Sequence, residues 1–220
     1  MTHPKFGLIG YPLGHSLSPF IHDNLFLQRG LDYSYSLEEI SPDKLDLAWD
    51  ALLSEFQGFN VTIPHKKAVL KHMETLAPPA LRCQAVNTVL RDRAGHCHGY
   101  NTDVLGFMAR NFSYRDRDVL ILGTGGVAQT MVFSLIEMGA KTIYVRSRNL
   151  AKAEALVAYA KSKAPDQDLV AVDDAILAKG LEKAPGQGRI APSYILNGTP
   201  RGMWPQVEGL PLEEALLRKF

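Results

Sequence analysis

The chain alternates short runs of apolar residues with longer segments in which apolar residues recur at helical spacing. In the second half, Val119–Leu122 is apolar throughout, which is typical of a strand covered on both faces of a parallel sheet. Helical and apolar segments alternate after it, at 126–138, 142–145, 149–161, 169–172 and 194–197. This β-α-β-α-β order predicts a doubly wound α/β sheet.

The first half has shorter strands and less regular spacing. Helices are predicted to begin near Ser18, as N-cap, and Ser41, and strands are predicted at 6–10, 33–37, 59–63, 85–90 and 96–99. A polar stretch at 113–118 then separates the two halves. We therefore expect an N-terminal α/β domain with a mixed sheet over residues 1–112, and the doubly wound domain over residues 113–220.

The composition is that of an ordinary globular protein, with 46% hydrophobic and 21% charged residues. A net charge of +1 offers no basic field for nucleic acid, and no apolar run reaches the roughly 18 residues that a membrane span needs. The N-terminus lacks the apolar core of a signal peptide, and Cys83 and Cys97 have no metal or redox spacing. We therefore expect a cytoplasmic protein with no nucleic-acid or membrane partner.

A glycine-rich turn follows the apolar strand Val119–Leu122. It reads Gly123-Thr124-Gly125-Gly126-Val127-Ala128 and fits the dinucleotide fingerprint G-x-G-x-x-G/A. In that motif Gly123 permits a tight turn, Gly125 lets the backbone approach the pyrophosphate, and Ala128 lets the helix lie close to the strand. Glycine turns after strands are common, but the strands and helix around this one predict a Rossmann-like dinucleotide-binding domain.

The end of the second strand of this domain indicates which dinucleotide is bound. NAD enzymes usually place Asp or Glu there to hold the ribose 2′-hydroxyl, whereas this chain has Arg146-Ser147-Arg148-Asn149, then Lys152, and no acid before Glu154. Guanidinium groups suit a 2′-phosphate through charge-assisted bonds. A solvated basic helix start is the structural alternative, and the helix dipole disfavours it. The sequence therefore favours NADP, with Arg148 as the clamp for the phosphate.

Two polar blocks precede the glycine turn, Asn-Val-Thr-Ile-Pro-His-Lys at 60–66 and Gly-Tyr-Asn-Thr-Asp at 99–103. They supply Lys66 and Asp103, two side chains that can handle a proton beside a bound dinucleotide. Together with the turn, they predict hydride transfer to or from a small polar molecule.

A third cluster, His96-Cys97-His98, raises the hypothesis of a metal site, because the two histidines share one face of a strand. No third ligand of suitable spacing follows them. An edge strand is therefore favoured, and no metal is predicted.

Several motifs follow one another in a fixed order over almost the whole chain. They are Ser-Leu-Ser-Pro at 16–19, the block at 60–66, Ala-Val-Asn-Thr at 85–88, Asn-Thr-Asp at 101–103, the glycine turn with Arg148 and Lys152, and Asn-x-Thr-Pro-x-Gly-Met at 197–203. In this order they resemble the shikimate dehydrogenase family. That family reduces 3-dehydroshikimate to shikimate reversibly with NADPH, in the biosynthesis of chorismate and aromatic amino acids.

The resemblance implies a role for each matching residue. The substrate carboxylate would be bound by Ser16 and Ser18. The substrate hydroxyls would be bound by Thr62, Asn87 and Asp103. Lys66 would be the main proton-handling residue, and Asp103 would orient it. The implied cofactor residues are Gly123, Thr124, Gly125, Gly126, Val127, Ala128, Ser147, Arg148, Asn149, Lys152 and Thr199.

Each of these residues also has a purely structural interpretation. Ser18 and Asp103 would serve as helix caps, Lys66 as a solvated lysine, and Asn87 and Asn101 as turn residues that bond their own backbone. Taken singly, the structural interpretation is favoured for most of them. The joint order of the motifs reverses that preference.

The chain departs from the family pattern at single positions. Gln84 stands where a small residue, often glycine, usually precedes the motif at 85–88. Val104 replaces the usual glycine after Asp103 and stiffens the backbone there, and Ser147 replaces the usual asparagine before Arg148.

The end of the chain departs further, because family members continue for some tens of residues beyond Met203. This chain ends at Phe220, on a helix of apolar spacing with nothing against which to bury its face. The resemblance therefore implies a C-terminally shortened chain. We expect such a chain to bind NADP weakly and to turn over poorly.

Two other functions stay open. One is a quinate/shikimate dehydrogenase of broader specificity. Members of that group that use NAD carry an acidic residue after the second strand, and this chain has none there. The other is a non-catalytic protein that binds a shikimate-like ligand, against which the retained Lys66 and Asp103 argue. In each case the partner is a small molecule, and the chain is expected to be a monomer or a homodimer.

Overall fold

The computed structural model describes residues 3–110, 112–183, 186–203 and 207–220. The chain divides into two compact units, Met1–Thr102 and Asp103–Phe220. Helix α4 (Thr102–Met108) begins at this division, and its Phe107 stacks on Tyr114 with ring centroids 5.7 Å apart. Tyr114 contacts Tyr194 edge-on at 4.9 Å, so these aromatic contacts tie α4 to the second unit. The polar stretch at 113–118, where the sequence predicts the domain boundary, follows this helix.

The first unit is built on a six-stranded mixed sheet, as predicted. Its strands are β1 Lys5–Gly10, β2 Ser34–Glu39, β3 Gly58–Val61, β4 Thr75–Leu76, β5 Thr88–Arg91 and β6 Cys97–Tyr100. They lie in the order β2-β1-β3-β5-β6-β4. β1 pairs in parallel with β2 and β3, whereas β5 is antiparallel to both of its neighbours. The carboxyl ends of β1 and β3 therefore meet at one edge of the sheet.

The helices of this unit are α1 Ser18–Gln28, α2 Leu45–Glu55 and α3 Pro78–Cys83, with short 3-10 helices at Pro42–Lys44 and Ala68–His72. Trp49 of α2 contacts Phe59 of β3 edge-on, with ring centroids 5.6 Å apart, in a core that also buries Ile9 and Val61. The sequence interpretation was wrong about one cap. Leu17, and not Ser18, occupies the N-cap position of α1, and no side chain caps that helix.

The second unit contains a four-stranded parallel sheet, which confirms the predicted doubly wound fold. Its strands are β7 Val119–Leu122, β8 Thr142–Arg146, β9 Asp168–Val172 and β10 Tyr194–Asn197, in the order β10-β7-β8-β9. Its helices after α4 are α5 Gly126–Glu137, α6 Leu150–Lys163, α7 Asp174–Glu182 and α8 Glu214–Leu217. The strand order reverses at β7, so the crevice beyond the carboxyl ends of β7 and β10 is the expected ligand site of such a sheet.

The C-terminal helix α8 does find a partner, contrary to the sequence-based expectation. Leu212 and Leu216 are buried in a cluster with Leu120 and Leu177, beside Tyr144 of β8. The expectation was wrong because the sequence pattern shows an apolar face but not the sheet face that covers it.

Gln84 ends α3 in the left-handed conformation, with φ of 44°. This backbone conformation costs roughly 1–2 kcal/mol for a residue with a Cβ. It explains why glycine suits this position. The Gln84 side chain partly offsets the cost, because its Nε2 donates to the Leu81 carbonyl at 2.8 Å.

We predict that Gln84→Gly raises the free energy of unfolding by up to about 1 kcal/mol, because glycine adopts the left-handed conformation without strain. The measurement is urea denaturation followed by circular dichroism. Arg29→Gly is the matched control, since Arg29 ends α1 at φ of −94° and gains nothing from glycine. A lower stability for Gln84→Gly than for the parent chain would contradict the strain argument.

Candidate functional site

A network of polar contacts joins the serine motif to β2 and β3 in the first unit. Ser16 Oγ donates to Ser18 Oγ at 3.1 Å, and Ser18 backbone N donates to Ser16 Oγ at 3.2 Å. Ser18 also interacts with Tyr35 and lowers the pKa of its phenol, and the Tyr35 hydroxyl donates to Asn60 Oδ1 at 2.7 Å. The loop that carries Ser16 and Ser18 is thus connected to the first polar block.

The network continues from Asn60 to the motif at 85–88 and to the start of α4. Asn60 Nδ2 donates to Thr88 Oγ1 at 3.1 Å, and Thr88 Oγ1 donates to Asn87 Oδ1 at 3.1 Å. Asn87 Nδ2 donates to Thr102 Oγ1 at 2.9 Å, while Thr102 N donates back to Asn87 Oδ1 at 2.9 Å. Four motifs that are separate in the sequence therefore hold one another in place.

The protons of this network have a defined direction. Asn60 Nδ2 lies 3.4 Å from the Asn87 carbonyl oxygen, which only accepts, so this end of the amide is the nitrogen. Burial raises the pKa of Tyr35 to about 12, despite a lowering by the Ser18 hydrogen bond, so the phenol keeps its proton at neutral pH. The Tyr35 hydroxyl donates that proton to Asn60 Oδ1.

The turn that carries Thr62 and Lys66 is fixed at both ends. Thr62 N donates to the Ile9 carbonyl at 2.9 Å, and the Lys66 carbonyl accepts from Val86 N at 2.8 Å. Between them, His65 is 1% exposed, with its Nε2 2.6 Å from the Ile40 carbonyl. Lys66 lies on this turn, before the 3-10 helix Ala68–His72.

The two asparagines of the later motifs make hydrogen bonds to other segments of the chain. Asn87 is 8% exposed and bonds Thr102 through both ends of its amide. Asn101 is 3% exposed, and its Nδ2 donates to the Ala85 carbonyl at 3.1 Å. Asp103 follows in the first turn of α4 and begins the second unit. The asparagines therefore fix the start of the helix that carries Asp103.

The glycine turn of the second unit leaves no room for side chains on its inner side. Gly123 has φ of 110°, and a Cβ there would lie 3.0 Å from the Gly198 carbonyl oxygen. A Cβ on Gly198 would in turn lie 2.9 Å from the Cβ of Ala128, which is fully buried. By contrast, the space beside Gly125 and Gly126 is open for at least 4 Å. The turn is therefore packed against the β10 loop and open toward a ligand.

A cavity of about 760 Å³ opens at this turn, within the second unit. Most of the predicted cofactor residues line it, namely Gly123, Thr124, Gly125, Ser147, Arg148, Asn149, Lys152 and Thr199. Gly126, Val127 and Ala128 follow the turn as the first residues of α5. The structure thus brings the glycine turn, the basic segment after β8 and the loop after β10 to one cavity.

Local hydrogen bonds shape the two loops of the cavity. Ser147 N donates to the Val172 carbonyl at 3.0 Å, and Ser147 Oγ accepts from Asn149 N at 3.2 Å. Asn197 Oδ1 accepts from Thr199 N at 2.9 Å and from Thr199 Oγ1 at 2.7 Å. Arg148 and Lys152 are exposed to the cavity side of this framework, which leaves their cationic groups available to an anion.

Sequence reasoning missed the partner of Arg146. This arginine is 6% exposed, and its Nε and Nη2 donate to the two carboxylate oxygens of Asp174 at 2.6 and 2.5 Å. Its Nη1 donates to the Pro211 carbonyl at 3.1 Å. Asp174 and the segment 210–214 therefore belong to the cavity wall. No sequence signal linked them, because they follow Arg146 in distant segments.

The histidines at 96 and 98 are held by ordinary polar contacts. His98 Nε2 lies 3.1 Å from Asp92 Oδ2, and its Nδ1 lies 2.7 Å from Thr75 Oγ1. Among the described residues, no group of three metal-binding side chains comes together. In the same part of the chain, none of the helices is both long and apolar enough to cross a bilayer.

Comparisons with known proteins match both units. The family described as shikimate dehydrogenase substrate binding domain matches residues 8–89, and the family described as shikimate / quinate 5-dehydrogenase matches residues 107–178. The shikimate dehydrogenase (NADP(+)) of Bacillus cereus strain G9842 is 36% identical over 97% of this chain and 75% of its own length. The chain belongs to the shikimate dehydrogenase family.

Two further family members show how much of this chain aligns with its relatives. The shikimate dehydrogenase of Thermotoga petrophila is 39% identical over 69% of this chain, and the aligned part is 58% of that relative. The Thermus thermophilus enzyme, solved in complex with NADP(H) and shikimate, aligns with a TM-score of 0.79 at 28% identity. That alignment covers 97% of this chain and 74% of the solved one. The shikimate dehydrogenase fold therefore extends over both units.

The Tyr35 hydroxyl offers a direct test of the hydrogen bonds in the first unit. We predict that Tyr35→Phe lowers the free energy of unfolding by about 1–2 kcal/mol, because it leaves Asn60 Oδ1 without its donor. Tyr33→Phe is the matched control on the same strand region; Tyr33 is 36% exposed, so an effect within about 0.5 kcal/mol is expected. Urea denaturation measures both, and equal effects would show that the hydroxyl of Tyr35 does not support the network.

Proposed function

We propose that the chain catalyses the reversible, NADP-dependent interconversion of 3-dehydroshikimate and shikimate, a step of aromatic amino-acid biosynthesis. The observation that carries the proposal is the network of polar contacts that joins the Ser16, Asn60 and Asn87 motifs to Thr102. Such a network positions polar side chains for a ligand rich in hydroxyl groups. Shikimate, with which the Thermus thermophilus enzyme was solved in complex, is such a ligand.

The cavity of the second unit suits NADP. The open space at Gly125 and Gly126, at the start of α5, fits a pyrophosphate held by backbone N–H groups. Arg148 and Lys152 would hold the 2′-phosphate through charge-assisted hydrogen bonds. When bound, NADP supplies or accepts the hydride, and the chain supplies its position.

On the substrate side, the hydroxyls of Ser16 and Ser18 would bind the carboxylate. The Ser16 hydroxyl donates to Ser18 Oγ. Binding of a carboxylate would turn this hydroxyl toward the ligand, which costs only rotation about one bond. The remaining polar side chains, Thr62, Asn87 and Asp103, would hold the ring hydroxyls.

Lys66 is proposed to hold and deliver the proton at Nζ. Reduction of the ketone places negative charge on its oxygen, and an ammonium group both stabilises that charge and donates the proton. The backbone anchors at Thr62 and Val86 keep Lys66 on a fixed turn, so little reorganisation is needed. Asp103 is proposed to orient the ammonium group and a substrate hydroxyl.

The reaction itself is the direct test of the function. Purified chain would be incubated with shikimate and NADP⁺, and separately with 3-dehydroshikimate and NADPH, while absorbance at the nicotinamide band is followed. We expect turnover in both directions. Binding of both ligands without turnover would instead favour the non-catalytic alternative.

We predict that Lys66→Ala lowers kcat by about 100-fold or more with little change in KM, because general acid–base catalysis commonly contributes that much. Lys67→Ala is the matched control, since Lys67 is the exposed neighbour on the same turn, and its kcat should stay at the parent value. Steady-state kinetics with shikimate decide the matter. An unchanged kcat in Lys66→Ala would remove this residue from the mechanism.

We predict that Arg148→Ala weakens NADPH binding about tenfold or more and leaves NADH binding unchanged, because only NADPH carries the 2′-phosphate. The measurement is quenching of protein fluorescence or calorimetry with each dinucleotide. Lys161→Ala on α6 removes an exposed cation outside the cavity and serves as the control. Equal losses for the two dinucleotides would refute the phosphate clamp.

A quinate/shikimate dehydrogenase of broader specificity is the second candidate, because the family that matches residues 107–178 is described for both substrates. The ratio of kcat/KM for shikimate to that for quinate distinguishes the two. We further propose a cytoplasmic monomer or homodimer, in keeping with the two buried cysteine thiols, Cys83 and Cys97.

A further inference from the structure

The ion pair between Arg146 and Asp174 is an unusual component of the cofactor cavity. Both side chains line it, and both carboxylate oxygens of Asp174 accept from the same guanidinium. The Asp174 side chain is 37% exposed, so it faces the cavity, whereas that of Arg146 is 7% exposed. Arg146 is therefore buried in the cavity wall, and Asp174 lies between it and the cavity.

The position of Arg146 follows from the alternation of β8. Tyr144 and Arg146 are two residues apart, so they point to the same face of the sheet. Tyr144 packs in the cluster that contains Leu177 and Leu212, and Arg146 lies above it at the carboxyl end of the strand. Its bond to the Pro211 carbonyl connects this end to the segment before α8. These contacts fix the guanidinium in one place.

The charges around the cavity are mixed. Arg148, Lys152 and Arg201 supply cations, whereas Asp174, Glu213 and Glu214 supply acids. Glu214 is already paired with Arg218, at 2.5 Å on its own helix. Asp174 is the acid that the cavity wall itself neutralises, through Arg146.

An acid in this cavity matters because of how dinucleotides are distinguished. A carboxylate near the adenosine ribose favours NAD, since it accepts from the 2′-hydroxyl and repels a 2′-phosphate. The sequence shows no acid between the end of β8 and Glu154, but the fold brings Asp174 to the cavity from α7. Without a neighbouring positive charge, the Asp174 carboxylate would repel the 2′-phosphate of NADP and weaken its binding.

We propose that Arg146 is a specificity-determining residue, which neutralises Asp174 within the cavity and so permits the 2′-phosphate of NADP to bind. The inference rests on the proposed function of the cavity as an NADP site. It assigns no direct phosphate contact to Arg146. The phosphate is held by Arg148 and Lys152, and Arg146 acts through Asp174.

Three variants of the full 220-residue chain test the proposal by calorimetric titration with NADP⁺ and NAD⁺. Arg146→Met leaves the charge of Asp174 unpaired. We expect it to weaken NADP⁺ binding about tenfold or more, whereas NAD⁺ binding stays unchanged or becomes tighter. Asp174→Asn, which removes the acid, is expected to tighten NADP⁺ by about threefold or more. The NADP⁺ affinity of the double variant is expected to lie within about threefold of that of the parent chain.

Each outcome decides between the proposal and a simpler role. A double variant as weak as Arg146→Met would show that Arg146 contacts the phosphate or only supports the wall, and would overturn the proposal. An unchanged or weaker NADP⁺ affinity in a folded Asp174→Asn variant, which keeps the side-chain shape, would do the same. Equal losses for NAD⁺ and NADP⁺ would also contradict it.

A control separates these results from general charge effects. Lys219→Met removes a cation that is paired with Glu182 outside the cavity, and NADP⁺ binding should not change. Circular dichroism of every variant checks that the chain is folded. If the parent chain binds neither dinucleotide, the proposed NADP site fails; if the parent binds NADP⁺ and the variants do not follow the expected order, only the role of Arg146 fails.

Discussion

The hydrogen bonds of the Asn60 and Asn87 side chains are the interactions on which the first unit's site depends. Both amides bridge between segments that are distant in sequence, and each uses its oxygen and its nitrogen in a fixed orientation. A buried amide that loses a partner costs more than the bond itself contributes, so the network forms as a whole or is disrupted as a whole. That constraint ties β3 to the start of β5 and to Thr102.

The second unit depends on close backbone approach instead. The space between the glycine turn, Gly198 and Ala128 is filled by backbone, and this contact places the start of α5 beside the loop after β10. The basic segment after β8 reaches the same cavity because β8 lies next to β7 in the parallel sheet. Anion-binding groups from separate strands therefore meet at the reversal of strand order, where doubly wound sheets bind their ligands.

The sequence predicts most of the strands and the glycine turn, because apolar runs and glycine turns are local signals. It does not predict Tyr35 as part of the network, since nothing in the strand at 33–37 shows that one hydroxyl meets Ser18 and Asn60. Nor does it predict Asp174 opposite Arg146, or the buried face of α8, because both depend on how distant segments meet in the sheet. Contacts between side chains of distant segments leave no local pattern in the sequence.

We propose that the network around Asn60 and Asn87 presents the binding groups for shikimate. The most direct measurement is a shikimate titration of ¹⁵N-labelled chain, followed by nuclear magnetic resonance of the side-chain amides. We expect saturable shifts of the Asn60 and Asn87 amides, while the Gln167 amide, which bonds the Ala140 and Lys141 carbonyls, stays unchanged. Unchanged Asn60 and Asn87 signals at millimolar shikimate, or shifts no larger than that of Gln167, would contradict the claim.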